Sequence, residues 1–185
     1  MKEKRFTATN IAEILGDALE VQDADRENLH HRIRYLAKKH YLNGGRKIDN
    51  RGTLDFPVSE VFRAAILCEF LAFSMDVKIA STALRDAEEL CLPPGSYPNS
   101  ARTDGGWLFS GGLGTVVEGV SAGEDWLLVV ELRRSGPSGA AGLVGRYARA
   151  SIQLPDVDVI FGRAATATVL TVNLTKLFTE ISKGL

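Results

Sequence analysis

The chain has 185 residues, of which 45% are hydrophobic and 24% charged, with a formal net charge of −1, a composition typical of a globular protein with one large or two small domains. No stretch reaches the ~20 uninterrupted apolar residues that a bilayer span requires, and the start of the chain, MKEKRFTATN, contains no apolar core of a secretory signal. We therefore expect a cytoplasmic protein with no membrane partner.

The first predicted helix follows Thr7, whose hydroxyl can cap its amino end. Ile11, Ile14 and Leu15 recur at the helical spacing i, i+3 and i+4, so these side chains should face the core. Gly16 is expected to end the helix, because glycine is common just past the carboxyl end of a helix.

The second predicted helix is amphipathic and basic. Acidic residues at its start (Asp23, Asp25, Glu27) and basic residues at its end (Lys38, Lys39) complement the helix dipole. Its apolar stripe consists of Leu29, Ile33, Leu36 and Ala37. Because these residues should face inward, the exposed face of the helix should be cationic.

Charge is distributed unevenly along the chain. Between Arg26 and Arg51 eight residues are basic and two are acidic, so this segment carries +6 while the rest of the chain carries −7. A mixed-sign surface would serve solubility without such clustering, so the segment indicates a polyanionic partner, and we expect double-stranded DNA. The basic residues are Arg26, Arg32, Arg34, Lys38, Lys39, Arg46, Lys47 and Arg51.

A hairpin and two further helices are predicted next. Turn signals at Asn43-Gly44-Gly45 and Asn50-Arg51-Gly52 enclose a short segment that favours a strand. Pro57 suits the first position of a third helix, and a fourth helix is predicted over Val77–Leu90. Helix, basic helix, basic hairpin, helix is the element order of a winged helix-turn-helix, whose second helix enters the DNA major groove.

Three segments of the chain resemble MerR-type regulators. IRYLAKKHYL, from Ile33 to Leu42, is similar to the LRYYxxxGLL segment of that family. RGTLDFPVSEVFRAAIL resembles the family's wing and following helix, and FTATNIAEILG is similar to its first helix. The resemblance covers Phe6 to Leu90 and implies a winged helix DNA-binding domain. The chain differs in the longer link between its first two helices, and in Leu36 and Thr53-Leu54, which replace a tyrosine and the wing's Tyr-Arg.

The second half of the chain has a different pattern. Prolines and a glycine between Cys91 and Ala101 interrupt the helical periodicity. We therefore predict a winged helix DNA-binding domain over 1–91, a linker over 92–100 and a β-rich domain over 101–185. The candidate strands are Gly114–Val120, Trp126–Arg133, Leu143–Gln153, Val157–Phe161 and Thr166–Asn173, and an amphipathic helix follows from Thr175 to Ser182.

The expected fold class is α+β, with a small antiparallel sheet in the second domain and a terminal helix. MerR-type regulators typically dimerise through a long helix after the DNA-binding domain, whereas this chain breaks at Pro93-Pro94. We therefore assign homodimer formation, or the binding of an effector or protein partner, to residues 101–185.

The predicted DNA contacts lie on the second helix and on the hairpin. They are Asn28, His30, His31, Arg32, Arg34, Tyr35, Lys38, Lys39, Arg46, Lys47 and Arg51. The alternative for the basic residues is a solvated helix face with internal ion pairs, but few carboxylates stand at the required spacing. No metal is expected at His30, His31 and His40, because His30 and His31 point in different directions and no cysteine or carboxylate completes a ligand set. We expect these histidines to act as polar groups near phosphate. Cys68 should be a small buried apolar residue, and Cys91 lacks the second ligand that a soft metal requires.

The function expected from these features is that of a sequence-specific, DNA-binding transcriptional regulator associated with the nucleoid. An alternative is a phage-type excisionase or a small terminase-like protein, in which residues 101–185 recruit a protein partner. A dimer on an inverted repeat favours the regulator, and a ring or filament favours packaging or recombination. An enzyme is not expected, because the sequence contains no recognisable nucleophile–base pair, metal cluster or cofactor loop, and no cofactor is expected either.

Overall fold

The computed structural model describes residues 4–89, 112–135, 140–149 and 165–185. These residues form helices and small antiparallel sheets, with a helix at the carboxyl end, which confirms the predicted α+β class. No helix in the described ranges is long and apolar enough to cross a bilayer. The predicted linker 92–100, Cys91 and the candidate strand Val157–Phe161 lie outside these ranges.

Six helices and six strands lie within the described residues. The helices are α1 (Ala8–Ala18), α2 (Asp23–Lys38), α3 (Ser59–Ala72), α4 (Val77–Glu89), α5 (Gly112–Ser121) and α6 (Leu174–Lys183). The strands are β1 (Arg5–Thr7), β2 (Arg46–Lys47), β3 (Leu54–Pro57), β4 (Trp126–Ser135), β5 (Ala140–Arg149) and β6 (Ala165–Asn173).

The chain divides into two compact units, one formed by Met1–Met75 with Lys176–Leu185 and the other by Asp76–Thr175. In this division α4 belongs to the second unit and most of α6 to the first, whereas the sequence placed α4 before the linker and the terminal helix after it. Phe62 of α3 and Phe178 of α6 contact each other edge to face, with 4.7 Å between the ring centres. This contact joins α6 to α3. The domain boundaries drawn from the sequence stay a prediction.

The amino end of α1 is capped as predicted. The Thr7 hydroxyl accepts the Asn10 N–H at 3.2 Å, and the Asn10 side chain accepts the Thr7 N–H at 3.2 Å. The predicted end at Gly16 is wrong, because α1 continues to Ala18. Gly16 is buried instead, and a Cβ at this position would lie 3.1 Å from Arg26 Nη1. The glycine therefore serves the close packing of α2 on α1.

The apolar stripe predicted for α2 is confirmed, since all four of its residues are buried. These residues pack in a core with the buried face of α1 and with α3. α3 is buried over most of its circumference, from Glu60 to Cys68 and again at Phe70. The core of the first unit thus fixes α2 along one side and leaves the opposite side of that helix to solvent.

The predicted hairpin is confirmed and belongs to a three-stranded antiparallel sheet in the order β1-β3-β2. Phe6 pairs with Phe56, and Arg46 pairs with Asp55. Pro57 does not start the third helix, because it ends β3 opposite Arg5, and that pairing holds the chain extended until α3 begins at Ser59.

The second unit contains a three-stranded antiparallel sheet in the order β5-β4-β6. The predicted strands Trp126–Arg133 and Thr166–Asn173 are confirmed as β4 and β6, and β5 covers the described part of Leu143–Gln153. The predicted terminal helix is confirmed as α6, with Leu177, Phe178 and Ile181 buried.

The predicted strand Gly114–Val120 is wrong, because these residues lie within α5. Leu113, Val116 and Gly119 are buried and stand three residues apart, a spacing that suits one face of a helix. The indole of Trp126 lies where a Cβ of Gly119 would be, so this position requires glycine. Trp126 itself is buried, and its Nε1 donates to Glu124 Oε2 at 3.0 Å.

Candidate nucleic-acid interface

The candidate interface is formed by the solvent-facing side of α2 and by the hairpin of β2 and β3. Ten of the eleven predicted contact residues are exposed, and His30 is half-buried. Tyr35 keeps 44% of its surface in solvent, which is unusual for a side chain of this size, and its ring lies 6.3 Å from that of Tyr41. The structure therefore presents the predicted set at the surface of the first unit.

Arg26 differs from the other basic residues of the segment. Its Nη2 lies 2.8 Å from Asp17 Oδ1, and its Nε lies 3.5 Å from Asp23 Oδ1. The Nε is buried and finds no hydrogen-bond acceptor in the described part of the chain. Arg26 thus ties α2 to α1, and its charge is largely neutralised within the protein.

The remaining seven basic residues of the segment are exposed, and none forms an ion pair with a carboxylate of the described residues. They are Arg32, Arg34, Lys38, Lys39, Arg46, Lys47 and Arg51. The two acidic residues of the segment, Glu27 and Asp49, interact with groups other than these cationic side chains. Glu27 stands 3.7 Å from His31 Nε2, and Asp49 accepts hydrogen bonds within the hairpin. The cationic character predicted from the sequence is therefore present on the folded surface.

The cations of α2 occupy two edges of its exposed face. At 100° per residue, Arg34 and Lys38 fall on one edge, and Arg32 and Lys39 fall on the other. Arg34 and Lys38 border a groove beside the hairpin, whereas Arg32 is close enough to α3 for its charge to act on the Cys68 thiol. Tyr35, with its neighbours His31 and Asn28, lies between the two edges. This arrangement puts positive charge on both sides of a less charged central strip.

The hairpin carries three further cations, Arg46, Lys47 and Arg51, and hydrogen bonds hold its tip. The Asp49 carboxylate accepts the Thr53 hydroxyl at 2.6 Å, the Thr53 N–H at 2.8 Å and the Arg51 N–H at 3.0 Å. These bonds lower the pKa of Asp49, with the Thr53 hydroxyl as the largest cause. Gly52, at a φ of +83°, takes the left-handed conformation that the turn requires. The tip is thus closed by its own side chains.

The hairpin is also anchored at its base. Arg5 Nε donates to Asp55 Oδ1 at 2.8 Å, and the Arg5 guanidinium also donates to the carbonyl of Gly44. Asn43, just before the hairpin, donates its backbone N–H to Glu60 Oε2 at 2.8 Å. These contacts fix the hairpin against β1 and α3, so its cations are held in a set position relative to α2.

A groove of about 530 Å³ separates the hairpin from the end of α2 and the first turn of α1. It is lined on its basic side by Arg34, Lys38 and His40. Of the eleven predicted contacts, only Arg34 and Lys38 line it. Sequence analysis considered His40 with the other two histidines as a polar group near phosphate, but did not include it among the eleven. The sequence alone does not show that Gly52, Thr53 and Leu54 of the hairpin line the same groove as the end of α2.

The other candidate sites of the sequence have plain structural roles where they are described. Cys68 is buried, as predicted, and burial raises the pKa of its thiol to about 12. Within the described ranges no three side chains from histidine, cysteine, aspartate and glutamate lie close enough together to hold a metal ion.

Comparison of the sequence with models of known protein families and with curated proteins finds no match. The functional assignment therefore depends on the geometry and charge of the surface described above.

Proposed function

We propose that the protein is a sequence-specific, DNA-binding transcriptional regulator that uses α2 as its recognition helix and the hairpin as its wing. The observation that carries the proposal is the set of seven exposed cations on these two elements, none paired with a carboxylate of the described residues. A protein surface that keeps such a field unneutralised attracts phosphate, and counterion release from DNA then supplies binding free energy.

The distribution of charge over α2 suits a helix lying in the major groove. Side chains on the two edges of the helix face the two phosphate backbones that border the groove, and side chains between them face the base edges. Arg34 and Lys38 would then grip one backbone and Arg32 and Lys39 the other. Tyr35, with Asn28 and His31, would contact the bases.

The hairpin would act as a wing that holds the flanking DNA. Arg46, Lys47 and Arg51 are exposed on a hairpin that Asp49 closes at its tip and Arg5 holds at its base. A rigid wing loses little conformational entropy when it meets the backbone, so its three charges contribute efficiently to affinity. Wing contacts to phosphate fix the orientation of α2 without reading sequence.

We further infer a homodimer in the cytoplasm, bound to the nucleoid, because a short recognition helix reads few base pairs and DNA readers of this size commonly bind two half-sites. Residues 101–185 would provide the contacts between subunits or with an effector or protein partner. If the protein instead forms rings or filaments on DNA, a role in packaging or recombination replaces regulation.

The proposal is tested by selecting bound sequences from a library of random DNA duplexes, using the full-length protein. A regulator should enrich a discrete motif, and a dimer should enrich it as a repeat of two half-sites. Arg34→Ala should weaken binding to the selected duplex. The matched control is Lys78→Ala, which removes an exposed lysine of α4 that is not among the proposed contacts and should bind as wild type does. Failure to enrich any sequence would contradict sequence-specific recognition.

A further inference from the structure

The groove between α2, α1 and the hairpin has the chemistry of an anion site. Its described lining includes three basic residues, Arg34, Lys38 and His40, and no carboxylate. Both carboxylates of the hairpin are engaged elsewhere, since Asp49 accepts from Thr53 and Asp55 accepts from Arg5. Every titratable side chain in the described lining of the groove is therefore basic.

Its remaining wall adds favourable dipoles rather than opposing charge. The first turn of α1, Thr7 to Thr9, lines the groove, and the amino end of a helix carries partial positive charge. Thr53 lines the hairpin side. An oxyanion in the groove would thus meet the positive charges of Arg34 and Lys38 and the amino end of α1, and these oppose the partial negative charge at the carboxyl end of α2.

His40 enters this groove through an uncommon backbone conformation. Its φ is +61°, a left-handed value that glycine and asparagine adopt more readily, and its N–H donates to the Ala37 carbonyl at 3.3 Å. This conformation turns the chain sharply after α2 and brings His40 to the same groove as Arg34 and Lys38. An imidazole N–H of His40 is therefore available in the groove to donate to an anion beside these two cations.

We propose that the groove holds one phosphate of the DNA backbone, bound by Arg34, Lys38 and His40. The inference rests on the proposed function and specifies a site within it. Arg34 and Lys38 would share this phosphate, whereas Arg32 and Lys39 would contact phosphates on the other side of α2.

The test uses the selected duplex with single backbone phosphates replaced, one at a time, by uncharged methylphosphonates. One position in each half-site should weaken wild-type binding by about tenfold, the cost of a lost bond between charged groups. The same replacement should weaken Arg34→Gln and Lys38→Gln by clearly less than tenfold, because each variant has already lost one of the groups that bind this phosphate. Arg32→Gln should remain sensitive to this position, because it contacts the other backbone.

The role of His40 is tested by repeating the measurement on His40→Gly. Replacing the critical phosphate should weaken this variant by less than it weakens the wild type, because one donor to the phosphate is lost. Glycine accepts the left-handed backbone of this position, so the variant should keep the fold. His31→Asn is the matched histidine control: whatever its effect on overall affinity, it should leave the effect of replacing this phosphate unchanged.

The outcomes separate the two proposals. If the protein selects a DNA site but no single phosphate depends jointly on Arg34 and Lys38, the groove site is overturned and the regulator proposal stands. If replacing this phosphate weakens His40→Gly as much as it weakens the wild type, His40 does not belong to the site. If the protein binds no DNA, both proposals fail together.

Discussion

The carboxylate of Glu60 accepts the backbone N–H of Asn43 at 2.8 Å and lies 3.0 Å from Arg63 Nε, with both charged side chains buried. One carboxylate on α3 therefore holds the segment between α2 and the hairpin. This contact connects the stability of the core to the position of the proposed wing.

Replacing Glu60 with alanine should destabilise the protein by about 3 kcal/mol, because the buried Arg63 loses this counter-charge and the Asn43 N–H loses its acceptor. Urea denaturation of the full chain measures the effect. Glu13→Ala, which removes an exposed carboxylate from α1, is the matched control and should change the free energy of unfolding by less than about 0.5 kcal/mol. Equal effects of the two substitutions would contradict the role of Glu60.

Replacing Thr7 with alanine should lower the stability of the protein by about 1 kcal/mol, because the Asn10 N–H loses the hydroxyl that caps α1. Thr7→Ser should retain most of the stability, since serine caps equally well. Thr9→Ala, two residues further along the same turn, is the control for loss of a threonine methyl and hydroxyl. Thermal unfolding followed by circular dichroism distinguishes the three variants.

The hairpin tip should show a pH dependence centred on Asp49. Its pKa is lowered, chiefly by the Thr53 hydroxyl and then by backbone N–H groups, so the folded state favours the ionised carboxylate. The resulting stabilisation is present above the ordinary aspartate pKa of about 3.9 and is lost as the pH falls through the lowered pKa. Carboxyl-carbon NMR titration should show this pKa rising in Thr53→Val and unchanged in Thr9→Val. An Asp49 pKa that does not respond to Thr53→Val would contradict the hydrogen bond.

Cys68 should resist thiol reagents in the folded protein. Its thiol is buried and its pKa is raised to about 12, so at pH 8 little thiolate is present or accessible. In a Cys91→Ser background, alkylation by iodoacetamide should be slow in buffer and rapid in guanidinium chloride. Rapid alkylation of the folded variant would show that this part of α3 opens readily.

Local patterns predicted most of the first unit. The Thr7 cap, the apolar stripe of α2 and the turn residues of the hairpin act over a few residues, so the sequence alone was sufficient to place them. The predictions at Gly16 and Pro57 were wrong because the roles of both residues depend on tertiary packing. Gly16 makes room for α2, and Pro57 is held extended by β1.

The error at Gly114–Val120 has a similar cause. Glycines and β-branched residues favour a strand by composition, whereas the buried positions follow the spacing of a helix face, and Gly119 is required by the Trp126 indole.

At the candidate interface, the sequence predicted which residues are basic but not which of them form ion pairs within the protein. The pairing of Arg26 with Asp17 depends on the packing of α2 against α1. The groove shared by Arg34, Lys38 and His40 depends on the position of the hairpin beside the end of α2.

The salt dependence of binding to duplex DNA tests the proposed interface most directly. The logarithm of the association constant should fall linearly with the logarithm of the salt concentration, and removing one phosphate contact should reduce the slope by about 0.9. Arg34→Ala and Lys47→Ala should each show this reduction, and Lys78→Ala should keep the wild-type slope. Binding that does not change with salt, or the same loss of slope in Lys78→Ala, would contradict a DNA interface on α2 and the hairpin.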